Sequence, residues 1–178
     1  MKATGIVRRI DELGRVVIPK EIRRTMKIRE GDPLEIFTDH GGELILKKYS
    51  PAKEITDFAE KLAVSVSESA GLPVIVTDRD TVIAVSGTAQ KEYLNTAVSD
   101  KLEKIMEARI PVLLKDKSVV PVNDRDTGGY YAQAAAPILA GGDICGCVIV
   151  LSKDKTEFGD AELMLAKAAA AITGTQIA

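Results

Sequence analysis

The 178-residue chain has no tryptophan, and phenylalanine and tyrosine together make up only 4% of it. A nucleotide-stacking pocket would therefore be sparsely furnished. There is one histidine, His40, set between Asp39 and a Gly-Gly pair, where a surface turn is the natural reading. The two cysteines, Cys145 and Cys147, stand two apart in an apolar run, too close to staple distant parts of a fold, and no further Cys or His completes a four-ligand metal site. They read as small apolar residues on one face of a strand, turned inward. No apolar run approaches the ~20 residues that span a bilayer. The first residues, MKATGIVRRID, lack the apolar core of a signal peptide, so a cytoplasmic home is expected. A P-loop, a dinucleotide fingerprint and a nucleophile–base pair are all missing, so neither an enzyme, a cofactor nor a metal is expected. Asp78-Arg79-Asp80 and Asp124-Arg125-Asp126 pair carboxylates in the spacing of some cation sites, but read as ordinary turn chemistry.

What is present is charge, unevenly placed. Residues 1–29 carry nine Lys or Arg (Lys2, Arg8, Arg9, Arg15, Lys20, Arg23, Arg24, Lys27 and Arg29) against Asp11, Glu12 and Glu21, a net +6. The whole chain is −2, so the other 149 residues hold −8. A basic head on an acidic body is the asymmetry of a protein that docks one end on a polyanion.

Residues 4–10 and 15–18 alternate as short strands around the turn Asp11–Gly14, and Pro19 opens a helix with Glu21 near its positive end. Ile22 and Met26 mark the buried side of that helix, while Arg23 and Arg24 face elsewhere. Residues 34–38 and 43–48 flank His40-Gly41-Gly42 as a hairpin. Four strands and a short helix in about 50 residues, without disulfide or metal, make a marginal monomer. An obligate dimer is expected. Tyr49-Ser50-Pro51 marks a boundary, dividing residues 1–53 from 54–178. The second part reads as a helix over 54–70, strands over 73–77 and 81–86, and a helix over 91–109. Short strands at 111–114 and 118–122 follow, then a hairpin of 132–139 with 144–152, and an alanine-rich helix over 160–172. The order implies an antiparallel sheet with packed helices, an α+β fold.

The run Thr4-Gly5-Ile6-Val7-Arg8-Arg9-Ile10-Asp11-Glu12-Leu13-Gly14-Arg15-Val16-Val17-Ile18-Pro19-Lys20-Glu21-Ile22-Arg23-Arg24 resembles the AbrB family of swapped-hairpin transcription factors. The likeness continues through Gly31-Asp32 to Leu46-Lys47-Lys48-Tyr49. It implies that two chains interleave their hairpins into one dimeric β-barrel that binds double-stranded DNA, with Arg8, Arg15, Arg23 and Arg24 as the contacts. The order of elements after residue 54 resembles a GAF domain. Together these imply a transcription regulator, activator and repressor, working on the nucleoid in endospore development. The same swapped-hairpin head also occurs in antitoxins that neutralise a partner toxin, which is the alternative. A toxin-binding tail is usually short and of low intrinsic order, whereas the 125 residues from 54 onward suffice for a core of their own.

A guanidinium offers five donors, takes phosphate or guanine edges bidentately, and stays charged at any working pH. Two-fold symmetry would double the four arginines to eight. The helix after Pro19 is only about two turns long and carries no Asn or Gln to read adenine, so specificity is expected from DNA shape, on a degenerate, A·T-rich target. In the body, residues 54–70 and the small-residue face Ala161, Leu165, Ala168, Ala169 and Ile172 are expected to pair between chains and build a tetramer. The segment from Val122 to Tyr131, with its glycines, two tyrosines and Arg125, is the candidate lid of a small-effector site between sheet and loop.

Overall fold

A computed structural model describes residues 5–39, 41–48, 52–126, 129–155 and 158–177. The expected turn residue His40 and the boundary Tyr49-Ser50-Pro51 lie outside the described residues, as do Thr127 and Gly128 of the candidate lid. The chain forms two compact units, residues 1–50 and 51–178.

In the first unit, helix α1 (Lys20–Thr25) follows Pro19, whose missing N–H costs nothing at a helix start. Glu21 lies in its first turn and Arg23 and Arg24 in its last, the arrangement the helix dipole favours. Lys27, at φ 49°, leaves the helical path, and its N–H closes the turn on the Arg24 carbonyl at 3.3 Å. Strands β1 (Leu34–Thr38) and β2 (Leu44–Lys48) pair antiparallel with Ile36 opposite Leu46. The other two expected strands do not form: residues 5–10 and 15–19 lie in irregular structure. A strand exists through its ladder, and within one chain these segments find no edge to pair with. Apolar side chains there stay in water, with Val7 84%, Leu13 74% and Val17 71% exposed. The expected buried side of α1 is only half realised, Ile22 being half-buried and Met26 exposed.

The second unit runs α2 (Ala52–Ala70), β3 (Val74–Thr77), β4 (Val82–Ser86), α3 (Gln90–Tyr93), α4 (Asp100–Ala108), β5 (Val112–Lys115), β6 (Ala132–Ala140), β7 (Asp143–Ser152) and α5 (Asp160–Ile177). Its five-stranded sheet has the order β4-β3-β7-β6-β5 and is antiparallel throughout. The fold is α+β, with helices on both faces. On one face α2 and α5 bury Ala59, Ala63, Ala166, Ala169 and Ala170 against Ala132, Ala134, Ala136, Val148 and Val150. On the other, Tyr93, Leu102, Met106 and Val122 cover Ile75, Cys147, Ile149 and Leu151. Burial on both faces explains why β3, β6 and β7 read as continuous apolar runs rather than alternating ones.

The structure departs from the sequence expectation at three places in this unit. The helix expected over 91–109 is two helices, because Asn95 takes a left-handed φ of 59° and Ala97 and Val98 form single bridges to Thr81 and Asn123. Ser99 then caps α4, its Oγ accepting from the Leu102 N–H at 3.1 Å. The strand expected over 118–122 is absent: a 3₁₀ turn (Asp116–Ser118) precedes a segment whose amides go to side chains. Val120 N–H donates to Gln133 Oε1 and Val122 N–H to Asp126 Oδ2, each at 3.0 Å, which satisfies the backbone without a ladder. Finally, Cys145 and Cys147 do not share a face. The β6–β7 register steps from Ile138–Gly146 to Leu139–Ile144, leaving Cys145 as the extra residue of a bulge. Cys145 packs toward the α2/α5 side and Cys147 toward the α3/α4 side. Burial pushes the Cys147 thiol up to about 12, so it is an inert apolar filler.

Helix α5 sits so close to the sheet that a Cβ on Gly174 would lie 2.2 Å from the Leu139 carbonyl oxygen. Gly174→Ala is therefore expected to push α5 off β6 and cost about 1–3 kcal/mol, read as a lower midpoint of chemical denaturation with an unchanged slope. An unchanged midpoint would show that the seat is not tight.

Candidate nucleic-acid interface

The four arginines singled out from the sequence all lie in the first unit, and all are exposed. Arg8 stands in the irregular segment before the Asp11 turn, its Nη1 donating to its neighbour's carbonyl, Val7 O, at 3.2 Å. Arg23 and Arg24 project from the last turn of α1 and make no side-chain hydrogen bond or ion pair among the described residues.

Arg15 is the fixed member of the set. The turn before it is tied by Asp11: Oδ1 accepts from the N–H groups of Leu13 at 3.0 Å and Arg15 at 2.8 Å, while Asp11 N–H donates to the Arg15 carbonyl at 3.0 Å. Gly14, at φ 76°, supplies the left-handed step that closes the turn on the Asp11 carbonyl. Asp11 Oδ2 then accepts from Arg15 Nε at 2.8 Å, an ion pair with both side chains well exposed. These contacts hold the Asp11 carboxyl below its usual 3.8, the Arg15 N–H first and the guanidinium second. Using Nε for Asp11 leaves the terminal nitrogens of Arg15 available to an outside acceptor. Sequence reading named Arg15 but missed Asp11 as the group that aims it. The signal was present, since an Asp four residues before an Arg across a Leu-Gly turn has the spacing of a side chain that caps its own loop.

The body offers two turn clusters and a cavity. Asp78 spends its carboxylate on the N–H groups of Asp80 and Thr81 and on the Thr81 hydroxyl, at 2.6–3.0 Å. Asp126 accepts from Val122 N–H, and Asn123 Oδ1 accepts from Arg125 N–H at 2.9 Å. Both acid pairs thus contribute to turns. At the start of the candidate lid, Val122 and Asn123 are buried, and Asn123 Nδ2 donates to Glu92 O and Thr96 Oγ1 at 3.0 and 2.8 Å. The concave space lies beside them, a cavity of 690 Å³ against Tyr93, Arg125, Asp126, Tyr130 and Lys153.

An exposed arginine-bearing head followed in the chain by a two-faced α+β body suits the class of a nucleic-acid-docking unit with a second, larger domain. Comparison with known proteins agrees in both parts. Residues 54–178 match the family described as "Stage V sporulation protein T C-terminal, transcription factor", and residues 7–54 match that described as "Antidote-toxin recognition MazE, bacterial antitoxin". The chain is 53% identical over 180 residues to stage V sporulation protein T of Bacillus subtilis (strain 168), covering 99% of each chain. It is also 55% identical over 69 residues to the transition state regulatory protein AbrB of the same organism, covering 35% of this chain and 71% of that one. The body has the fold of the second GAF domain of DevS from Mycobacterium smegmatis, with a TM-score of 0.57 at 14% identity, covering 68% of this chain and 91% of that one. The chain belongs to the stage V sporulation protein T family of transcription factors.

The Asp11–Arg15 pair makes a pH prediction with a definite sign. A carboxyl held below its unfolded value contributes to the turn above that value and loses its contribution as pH falls through its own lower midpoint. The Asp11 carboxyl followed by NMR should therefore titrate below 3.8, and Arg15→Ala should move the midpoint back toward 3.8. A wild-type midpoint at or above 3.8 would remove the ion pair from solution.

Proposed function

We propose that the chain is a sequence-degenerate, DNA-binding regulator of endospore development, activator and repressor, that grips double-stranded DNA through Arg8, Arg15, Arg23 and Arg24. Residues 1–53 are the DNA-binding and dimerisation domain, and residues 54–178 form the GAF-like domain with flanking oligomerisation helices. The observation that carries this reading is the exposure of all four arginines within residues 1–29, a stretch of net +6, with Arg15 aimed by Asp11. Dimerisation is supported by the head's apolar exposure: among its described residues Pro19 alone is buried, and Ile10, Val17 and Leu44 stand 67–71% in water. A second copy is the economical cover for them. Because α1 is six residues long, it presents charge to phosphates rather than a row of bases, which favours readout of DNA shape on A·T-rich sites. On this reading the protein acts on the nucleoid in the cytoplasm, without catalysis or cofactor.

The match of residues 7–54 to an antitoxin description favours a second reading, a module that neutralises a partner toxin. The body weighs against it. Residues past 52 build their own two-faced core rather than a tail that orders on a partner. Capture of a small co-expressed nuclease by the full chain would restore that reading.

The outer faces of the body helices support a tetramer. The sheet takes Ala166, Ala169 and Ala170 of α5, leaving Ala161, Met164, Ala168 and Ile172 outward, with Met164 63% and Ile172 50% exposed. Of the small-residue face expected from the sequence, Ala169 is thus spent on the chain's own sheet and Leu165 is half-buried. Val64 of α2 is 44% exposed. Two linked heads raise avidity through effective concentration.

Replacing any one of Arg8, Arg15, Arg23 or Arg24 by Ala is expected to lower DNA affinity with the thermal midpoint unchanged. If all eight arginines of a dimer meet phosphates, the log–log salt slope should approach about −7 and shrink by about 2 per substitution. Normal binding by all four variants would refute the assignment. Sedimentation of the full chain at micromolar concentration should give a tetramer that Ile172→Glu reduces to dimer. A wild-type dimer would refute the helix-face interface.

A further inference from the structure

We infer that the cavity at the Thr88–Tyr93 end of the body binds a small phosphate-bearing molecule, its phosphate held between Arg125 and Lys153. The inference rests on the reading of the body as the part of the protein that senses an effector. At 690 Å³ the cavity lies within the ordinary range for small-molecule sites. Arg125, Asp126 and Tyr130 of the candidate lid form part of its wall, while Val122 and Asn123 at the start of that segment are buried.

The polar groups on its wall divide into those already engaged and those left over. The Asp126 carboxylate is engaged by the Val122 N–H at 3.0 Å and by the Tyr93 hydroxyl. Thr88 and Tyr130 share a hydrogen bond at 2.7 Å, which fixes both hydroxyls at the rim. The two cations are left over. Arg125 bonds only through its main-chain N–H, to Asn123 Oδ1, and its guanidinium has no ion-pair partner among the described residues. The Lys153 ammonium has no carboxylate partner there either and rests 5.3 Å over the Tyr130 ring. Two cations without an ion-pair partner among the described residues, on one concave wall, suit a ligand that brings negative charge to both. A phosphate answers that demand: a guanidinium fork takes two of its oxygens, and an ammonium and a hydroxyl take the third. Glu92, on the same wall, would repel a second anionic group and accept from a hydroxyl or amino group, so the ligand is an organic phosphate with a polar, uncharged or cationic far end.

The site also has a mechanical connection. Gly87, at φ 73°, lines the cavity and packs so closely on the end of α2 that a Cβ there would fall 2.5 Å from Ser67 Oγ and 3.1 Å from Pro73 Cα. An occupant that orders Gly87–Ala89 therefore bears directly on α2, the helix that follows the head in the chain.

The test is calorimetric titration of the full-length protein with inorganic pyrophosphate, against sodium chloride at matched ionic strength and against succinate. Pyrophosphate should bind, and the Arg125→Ala/Lys153→Ala double variant should weaken it at least tenfold. Lys153→Arg should retain most of the affinity. Lys155→Ala, which removes a cation resting over Tyr131 outside the cavity, should leave binding unchanged, as should Arg23→Ala/Arg24→Ala in the head. All the substituted side chains are exposed, so each variant should keep the wild-type thermal midpoint. Undiminished binding by the cavity double variant, loss in the head variant alone, or succinate binding as tightly as pyrophosphate would each overturn the assignment. DNA binding measured on the same proteins separates the two readings, because only the head variant should lose it.

Discussion

Alanine against alanine sets the spacing of the body. Three alanines on one side of β6 meet Ala166, Ala169 and Ala170 of α5, and with no side-chain bulk between them the helix settles until Gly174 meets the Leu139 carbonyl. Close approach multiplies dispersion contacts and leaves no room for a void. It also has a cost. Small residues bury little area each, so this face gains its stability from tight seating, whereas the opposite face uses larger side chains such as Ile75, Leu102, Met106 and Ile149. The two faces of one sheet thus pack differently, and the alanine row of β6 is what lets α5 sit close.

The head shows the opposite condition. A 50-residue unit with one short hairpin and one six-residue helix cannot enclose its apolar residues within a single chain, and they stand in water. On the proposed reading that deficit is functional, because a fold completed only by a second copy delivers its arginines in two-fold pairs, as a duplex read from both strands requires. The deficit also explains where strand expectation and structure part. The alternation of residues 4–10 and 15–18 is a real amphipathic pattern, but pattern says which face is apolar and not what the strand pairs with. Residues 34–38 and 44–48 pair because their partner lies a tight turn away, whereas the earlier segments have none so near.

The rest of the sequence was legible in proportion to how local its causes are. The β6–β7 hairpin and the α2 stripe follow from periodicity and turn chemistry within a few residues and appear within two residues of expectation, and the helix after Pro19 begins where expected but ends early, at Thr25. The break at Asn95 was not legible, because it is imposed by bridges to Thr81 and to Asn123, the latter nearly 30 residues away in sequence. The same holds for residues 119–122, where Gln133 and Asp126 supply acceptors that a strand would have found in a neighbour. Opposite facing of Cys145 and Cys147 needed knowledge of a bulge whose register is set by the partner strand. As for the sites, the arginines of the head and the loop that supplies Arg125, Asp126 and Tyr130 to the cavity wall could be named from their pattern, but the group that aims Arg15 emerged only from geometry.

Charge separation between the units constrains how such a protein can sit on DNA. The first unit, +3 over residues 1–50 with +6 concentrated in residues 1–29, gains from each phosphate it approaches, while residues 51–178, at −5, are repelled by the same field. At physiological salt the Debye length is about 8 Å, so repulsion acts only on the parts of the body that come within roughly that distance of the duplex. Association is therefore oriented: the head arrives first and the body is kept from lying along the backbone. On the proposed reading, a duplex cannot enter a 690 Å³ cavity that a small phosphate can fill, so the head takes the polymer and the body the small anion without the two competing for one site.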